Sequence, residues 1–180
     1  MTYIIAEIGN NHNGSIKKCL ELFESASKAG ASAVKIQSFT GKDIISPQVK
    51  SDHYSSWDSK GYEYWFQFLD SIALPLEDHQ TAIDYANELD LDFITTPVTP
   101  DIVDYLEKLN GVKGYKLASM DLTNIDLVRA LAKTDKSIII STGMGDLDEI
   151  EIAVSILKKN DLSILHCISD YPLNPNDATL

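Results

Sequence analysis

The sequence predicts an α/β chain of parallel strands, a (β/α)8 TIM barrel present as about six βα units. Three observations predict it. Short apolar, β-rich runs alternate with longer segments of helical period through all 180 residues. Each strand-plus-helix unit takes about 30 residues, so a closed barrel needs roughly 250 and this length holds about six of eight units. A polar or charged residue stands at the C-terminal end of every strand, where parallel α/β sheets bind ligands. A doubly wound open sheet fits the alternation as well.

Tyr3–Ala6 reads as the first strand. After the loop Gly9–Gly14, apolar residues at Ile16, Cys19, Leu20, Phe23 and Ala26 recur at helical spacing, and Gly30 stands where a C-terminal glycine cap belongs. Ser32–Gln37 is the second strand, Glu77–Leu89 a helix and Asp92–Thr95 the third strand. Thr99 followed by Pro100 starts a helix whose apolar face is Ile102, Val103, Leu106 and Leu109. Gly114–Ala118 is the fourth strand, Asn124–Lys133 a helix and Lys136–Ser141 the fifth strand. Asp146 with Glu149 forms a capping box before a helix through Ile150, Ala153, Val154 and Leu157, and Leu162–Cys167 is the sixth strand. The long connection from Phe39 to Pro75 carries Tyr54, Trp57, Tyr62, Tyr64, Trp65, Phe66 and Phe68. It reads as a small helix over about Gly61–Ile72 packed on the rim, with a substrate lid as the alternative.

Fifteen Lys and Arg stand against 27 Asp and Glu, a formal charge of −12. A field of that sign opposes nucleic acid and anionic membranes as main partners, and an anionic substrate needs a local basic pocket. No apolar run approaches the roughly 20 residues that cross a bilayer. The start of the chain lacks the basic, apolar pattern of a signal peptide. Cys19 and Cys167 form neither a disulfide framework nor a CxxC pair, so a reducing cytoplasm is the expected compartment.

The strand ends carry the candidate chemistry. Glu7 ends the first strand; Lys35 and Gln37, two apart, share one face of the second. Thr95 and Thr96 end the third; Lys116, then Ser119 and Asp121, mark the fourth. Ser141 ends the fifth; the sixth ends at His166, with Ser169 and Tyr171 just beyond. Lys35 and Lys116 each interrupt an apolar strand. Buried lysines need partners, either an anion between them or a nearby carboxylate, Glu7 or Asp121. Hydroxyls at Thr96, Ser119 and Ser141 could complete a phosphate cradle. His12 and His166 are the histidines best placed for chemistry, while His53 and His79 look peripheral. No HxH, HExxH or CxxC spacing marks a metal site, and no GxGxxG follows a strand.

The stretches IIAEIGNNHNGS (4–15), AGASAVKIQSF (29–39), FITTP (93–97), YKLAS (115–119), IIISTGM (138–144) and ILHC (164–167), followed by YP (171–172), give the chain a resemblance. It resembles the N-acetylneuraminate (sialic acid) synthase family, with its legionaminate- and pseudaminate-type and spore-coat polysaccharide members. The resemblance implies a barrel that condenses phosphoenolpyruvate with an N-acylated aminosugar, N-acetylmannosamine in the archetype, giving a nine-carbon 2-keto sugar acid and phosphate. By position it implies phosphoenolpyruvate contacts at Lys35, Thr96, Lys116, Ser119 and Ser141. It implies sugar handling at Glu7, Gln37 and Tyr171, and a catalytic carboxylate at Glu7 and at Asp121. It further implies a homodimer, a divalent cation (Mn2+ or Mg2+) that polarises the aldehyde, and a C-terminal antifreeze-like domain.

Three departures qualify that resemblance. Asp121, in SMDLTN, stands where the family has glutamate, and Ser169 stands where it has asparagine. The family's metal-binding histidines and antifreeze-like domain fall beyond these 180 residues, so the expectation is a truncated barrel, inactive alone, with no metal ligand of its own. The rival readings are a non-catalytic remnant or split-enzyme half that needs a partner chain, and a 3-deoxy sugar acid synthase.

Overall fold

In the computed structural model, which describes residues 2–53, 61–170 and 172–178, strands and helices alternate as the sequence predicts. Their order is β1 (Ile5–Gly9), α1 (Ile16–Lys28), β2 (Ala33–Ser38), α2 (Gly41–Ile44), α3 (Trp65–Ile72), α4 (His79–Glu88), β3 (Asp92–Pro97), α5 (Pro100–Leu106), β4 (Val112–Leu117), α6 (Ile125–Leu131), β5 (Ser137–Ser141), α7 (Leu147–Leu157) and β6 (Leu162–Leu165). The fold class is the expected α/β type, present as six βα units of the (β/α)8 kind. The chain divides into two units, residues 1–113 and 114–180, with the boundary inside β4.

In the first unit, β1, β2 and β3 are parallel. Glu7 lies opposite Lys35, Lys35 opposite Ile94, Ile36 opposite Thr95 and Gln37 opposite Thr96. Side chains alternate along a strand, so Glu7, Lys35, Gln37 and Thr96 share one face. The other face meets the helices. Ser15 caps α1 by accepting from the Lys18 N–H, and Gly30, at φ +83°, follows its end. Cys19 and Phe23 of α1 and Ala82, Ile83 and Ala86 of α4 are sealed from solvent, and Phe23 meets Phe93 of β3 edge-on at 6.3 Å. The Tyr85 hydroxyl donates to Glu24 at 2.6 Å, tying α4 to α1. Thr99 and Pro100 open α5 as expected, and Ile102, Val103 and Leu106 are buried.

Among the described residues, the long connection holds the α-helices α2 and α3. Gly41 of α2 is pressed against α3: a Cβ there would stand 2.0 Å from the Phe66 carbonyl oxygen, so no larger residue fits. Trp65 is buried at the start of α3. The expected helix over Gly61–Ile72 is thus shorter, Trp65–Ile72, while Tyr54 and Trp57 lie outside the described residues.

In the second unit, β4 pairs with β5 and β5 with β6, all parallel. Lys116 lies opposite Ile139, and Ser141 is two residues beyond on the same face. Tyr115, Leu117, Ile138 and Ile140 fill the opposite face, with Leu127, Val128 and Leu131 of α6 and Ala153 and Leu157 of α7 all buried. The Asp146–Glu149 capping box forms as the sequence predicts.

Boundaries differ at several ends. β1 starts at Ile5 because pairing begins where Ile5 meets Ala33, so Glu7 is mid-strand and Tyr3 and Ile4 stay exposed. β4 ends at Leu117, leaving Ser119 and Asp121 in the 3-10 turn Ser119–Asp121. β6 ends at Leu165, one residue short of His166, and its Ile164 and Leu165 are exposed.

Behind the first sheet lies a polar group sealed from water. His79 Nδ1 faces the Pro75 carbonyl at 3.0 Å and Nε2 faces the Ser38 hydroxyl at 2.8 Å. A carbonyl only accepts, so Nδ1 carries the proton and Ser38 donates to Nε2. Ser38 also meets the Thr95 hydroxyl at 2.6 Å. His12 Nδ1 accepts from the Gly14 N–H, which puts its proton on a buried Nε2 that has no partner. Burial holds both imidazoles below their ordinary pKa; for His79 the nearby Asp78 and Glu77 work the other way. Both rings are therefore neutral when folded, and the unfolded chain binds more protons on acidification. Stability should be full above about pH 6.5, the unperturbed histidine value, and fall as pH drops below it. Thermal unfolding between pH 7.5 and 5 checks this. His79→Gln, which keeps a donor and an acceptor without titrating, should flatten the slope; an unchanged slope would remove His79 from the account.

Candidate active-site residues

Lys35 is 5% exposed, and its ammonium lies 2.9 Å from Glu7 Oε2 and donates to Thr96 Oγ1 at 3.0 Å. A buried cation has to be compensated in place. Of the two partners the sequence left open for this lysine, the carboxylate is present: register sets Glu7 beside it. Glu7 keeps 54% of its side chain exposed, so the pair is sealed on the lysine side and open on the carboxylate side. Gln37 shares this face and accepts through Oε1 from Asn10 Nδ2 at 2.9 Å. Thr95, one residue from Thr96, points the other way into the Ser38–His79 group. Glu7, Lys35, Gln37 and Thr96 are therefore brought onto one face as expected, while Thr95 is not.

In the second unit the Lys116 ammonium donates to Ser141 Oγ. Ser119 Oγ accepts from the Gly143 N–H at 3.1 Å. A Cβ on Gly143 would stand 3.0 Å from that hydroxyl and 2.6 Å from Ser169 Oγ, so glycine is what lets three segments close here. Asp121 is 7% exposed, and its Oδ2 is sealed without a hydrogen-bond partner. Burial raises its affinity for a proton above the usual aspartate range, against a hydrogen bond from the Asn124 side chain. Asn124 also caps α6, its Oδ1 accepting from the Leu127 N–H at 3.3 Å. A cavity of about 150 Å³ opens beside Ser119, lined also by Met120, Thr123, Met144 and Glu149.

The two lysines repeat one geometry. Each sits opposite an isoleucine on the next strand, Ile94 or Ile139, and reaches the hydroxyl two residues farther along it, Thr96 or Ser141. An ammonium beside a hydroxyl at the C-terminal end of a parallel strand is a donor pair suited to phosphate or carboxylate oxygens.

Tyr171 lies outside the described residues. His166 is exposed, and His79, expected to be peripheral, is wholly buried because Ser38 and Pro75 hold its ring. Cys19 is sealed and its thiol is pushed up to about 12 by burial, too high for a nucleophile. Among the described residues, no three His, Cys, Asp or Glu side chains gather to hold a metal. No helix among them is long and apolar enough to cross a membrane. Asn10 was not singled out from sequence. Its signal was the polar run NNHN straight after Gly9, where a strand that bears Glu7 turns into a loop.

The chain is 38% identical to the N,N'-diacetyllegionaminic acid synthase of Campylobacter jejuni, over 99% of this chain and 55% of that protein. It is 35% identical to the enzyme of the same name from Legionella pneumophila, over 99% of this chain and 52% of that one. Its fold matches the N-acetylneuraminic acid synthetase of Leptospira borgpetersenii, solved in complex with citrate, with a TM-score of 0.84 at 29% identity, covering 98% of this chain and 57% of that one. A 3-deoxy-D-arabino-heptulosonate 7-phosphate synthase of Thermotoga maritima matches at a TM-score of 0.62 and 10% identity, a likeness of fold alone. The chain thus spans about half the length of the curated relatives it matches. The NeuB family model matches residues 22–180, and the chain belongs to the NeuB family.

Proposed function

We propose that this chain carries substrate-binding and catalytic residues of a synthase that joins phosphoenolpyruvate to an N-acylated aminosugar of the N-acetylmannosamine kind. The products are a nine-carbon 2-keto sugar acid and phosphate. The observation that supports this reading best is the repeated lysine–hydroxyl pair, Lys35 with Thr96 and Lys116 with Ser141. A multiply charged enol phosphate needs such donors, all the more in a chain of net charge −12.

In this reading Lys35, Thr96, Lys116, Ser119 and Ser141 bind phosphoenolpyruvate, and Glu7, Gln37 and Tyr171 face the sugar. Carbon 3 of the enol attacks the open-chain aldehyde, and its π electrons leave an oxocarbenium-like centre at carbon 2. Water adds there, the aldehyde oxygen takes up a proton to become a hydroxyl, and phosphate departs with its bridging oxygen as the new hydroxyl at carbon 2 loses its proton to leave the ketone. The lysines stabilise the charge on the departing phosphate. Asp121, with its raised proton affinity, takes the proton of the attacking water. Being one methylene shorter than glutamate, it has to be brought close by its turn, Ser119–Asp121. A divalent cation would polarise the aldehyde when bound; among the described residues no three His, Cys, Asp or Glu side chains gather to hold it.

Phosphate release from phosphoenolpyruvate with N-acetylmannosamine and Mn2+, in a protein that carries this segment and turns over, tests the roles. Lys116→Ala should raise KM for phosphoenolpyruvate about 10- to 100-fold, the worth of a hydrogen bond to a charged group, and leave KM for the sugar near its parent value. Equal losses for both substrates would count against the assignment.

Asp121→Asn should lower kcat by roughly 10²-fold or more, the scale of a general base. Asp121→Glu should retain most activity, since the longer side chain still reaches the water. An Asn variant with parental kcat would remove Asp121 from the mechanism.

A further inference from the structure

We infer that Asn124 is a positioning residue whose one amide does two things: its oxygen caps α6, and its nitrogen donates to the Asp121 carboxylate. The inference rests on the reading of Asp121 as the base that takes the proton of the attacking water. A helix N-cap needs only an acceptor, and serine or aspartate supplies it as well as asparagine does. Ser15, Thr99 and Asp146 do so for α1, α5 and α7. What asparagine adds is a donor.

The helix decides which way this amide stands. The Leu127 N–H can only donate, and it meets Asn124 Oδ1 at 3.3 Å. Turned over, the amide would set its own N–H groups against that donor and leave the helix end uncapped. The backbone of the residue is committed as well: its N–H donates to the Asp121 carbonyl at 3.0 Å, and its carbonyl accepts from the Val128 N–H at 3.0 Å. Nδ2 is the polar group that remains, and it bonds the Asp121 side chain. The turn before it is pinned too, by the Asp121 N–H on the Ala118 carbonyl at 3.0 Å and the Leu122 N–H on the Ser119 carbonyl at 3.2 Å. A positioning group has to stand on a fixed backbone, and this one does.

Asp121 needs such a donor. Its side chain is buried, and Oδ2 is sealed without a partner. Among the described residues, the charged groups on the elements around it have partners of their own. Lys116 of β4 donates to Ser141, Arg129 of α6 lies 3.7 Å from Asp126, and Glu149 of α7 accepts from the Asp146 N–H. Burial and the Asn124 amide are what act on the Asp121 proton, in opposite directions. The end of α6 and the ionisation of Asp121 therefore hang on one side chain.

Asn124→Ser keeps a cap acceptor and removes the amide donor. In a synthase that carries this segment, the acid limb of kcat against pH, where the base must lose its proton, should move up by about one pH unit. That is a tenfold change in proton affinity, the worth of a hydrogen bond to a charged group. Asn124→Asp also keeps the cap and sets an acceptor where the donor stood, so its limb should move up at least as far. A residue that only capped the helix would leave the limb in place. In an Asp121→Asn background, Asn124→Ser should lower kcat no further, because Asn124 acts through Asp121. Limbs within about 0.3 pH unit of the parent, or losses that multiply in the double variant, would overturn the inference. If Asn124→Asp does not fold, Asn124→Ser decides alone. If the parent releases no phosphate, or Asp121→Asn keeps the parental kcat, the reading of Asp121 as the base fails. The carboxyl carbon resonance of Asp121, followed against pH, then decides this inference by itself: its midpoint should rise in Asn124→Ser, and an unmoved midpoint would overturn it.

Discussion

A lysine at 5% exposure inside a sheet must be neutralised where it stands, and in the first unit that requirement joins three strands. Glu7 of β1 supplies the charge and Thr96 of β3 the acceptor, so Lys35 of β2 is held from both sides. Neither partner works at a different register. A slip of one residue would turn Glu7 or Thr96 to the helix face and leave a bare ammonium in an apolar layer. The apolar side of the same strands enforces the same register independently, since Val34, Ile36 and Phe93 are sealed against α1 and α4. Packing on one face and charge pairing on the other therefore agree, which is how a sheet comes to hold a polar cluster without losing its fold.

That geometry decides what the cluster offers a ligand. Glu7 stays half open while Lys35 is covered, so the cluster presents its carboxylate, not its ammonium, to solvent. The lysine's third donor and the threonine's proton are what remain for phosphate or carboxylate oxygens. In the second unit the arrangement differs in its details: Lys116 is less buried, Ser141 takes the place of Thr96, and Asp121 is sequestered in the turn after β4. The repeated step, lysine to the hydroxyl two residues beyond the facing isoleucine, follows from strand pairing alone. It needs only a lysine in mid-strand and a hydroxyl near the next strand's end.

This is why the placement of the candidate residues was legible in the sequence. Lys35 and Lys116 are conspicuous because they break apolar runs, and Thr96 and Ser141 because strand ends are where parallel sheets expose function. What was not legible depends on which way a loop or a strand-end residue turns. Thr95 and Thr96 are chemically identical in sequence, and only the pairing of Thr95 with Ile36 sends one of them toward Ser38 and His79. His79 sits at the first position of α4, where a polar residue usually points to solvent; its burial needs the Pro75 carbonyl and the Ser38 hydroxyl, 4 and 41 residues away. Asn10 lies in a polar run whose members look interchangeable until the turn at Gly9 brings one of them against Gln37. The first strand was placed too early for a similar reason: Tyr3 and Ile4 are good strand formers, but the ladder starts only where Ile5 meets Ala33.

Electrostatics follows the same division between pattern and placement. The net charge of −12 makes the chain as a whole repel anions, yet each candidate lysine keeps a hydroxyl beside it, Thr96 or Ser141, as a local donor pair. Asp121 runs against the trend in another way. This carboxylate is buried, with one oxygen sealed and unpartnered and only the Asn124 amide favouring its charge. A buried acid in such a setting is costly to ionise, and a stable protein gains nothing by keeping it. Met120 and Leu122 flank it in the turn, so an apolar residue at 121 would continue the local pattern and remove the cost. Burial thus sets Asp121 apart from Glu7, the acid of the first unit's cluster, which keeps 54% of its side chain exposed beside Lys35.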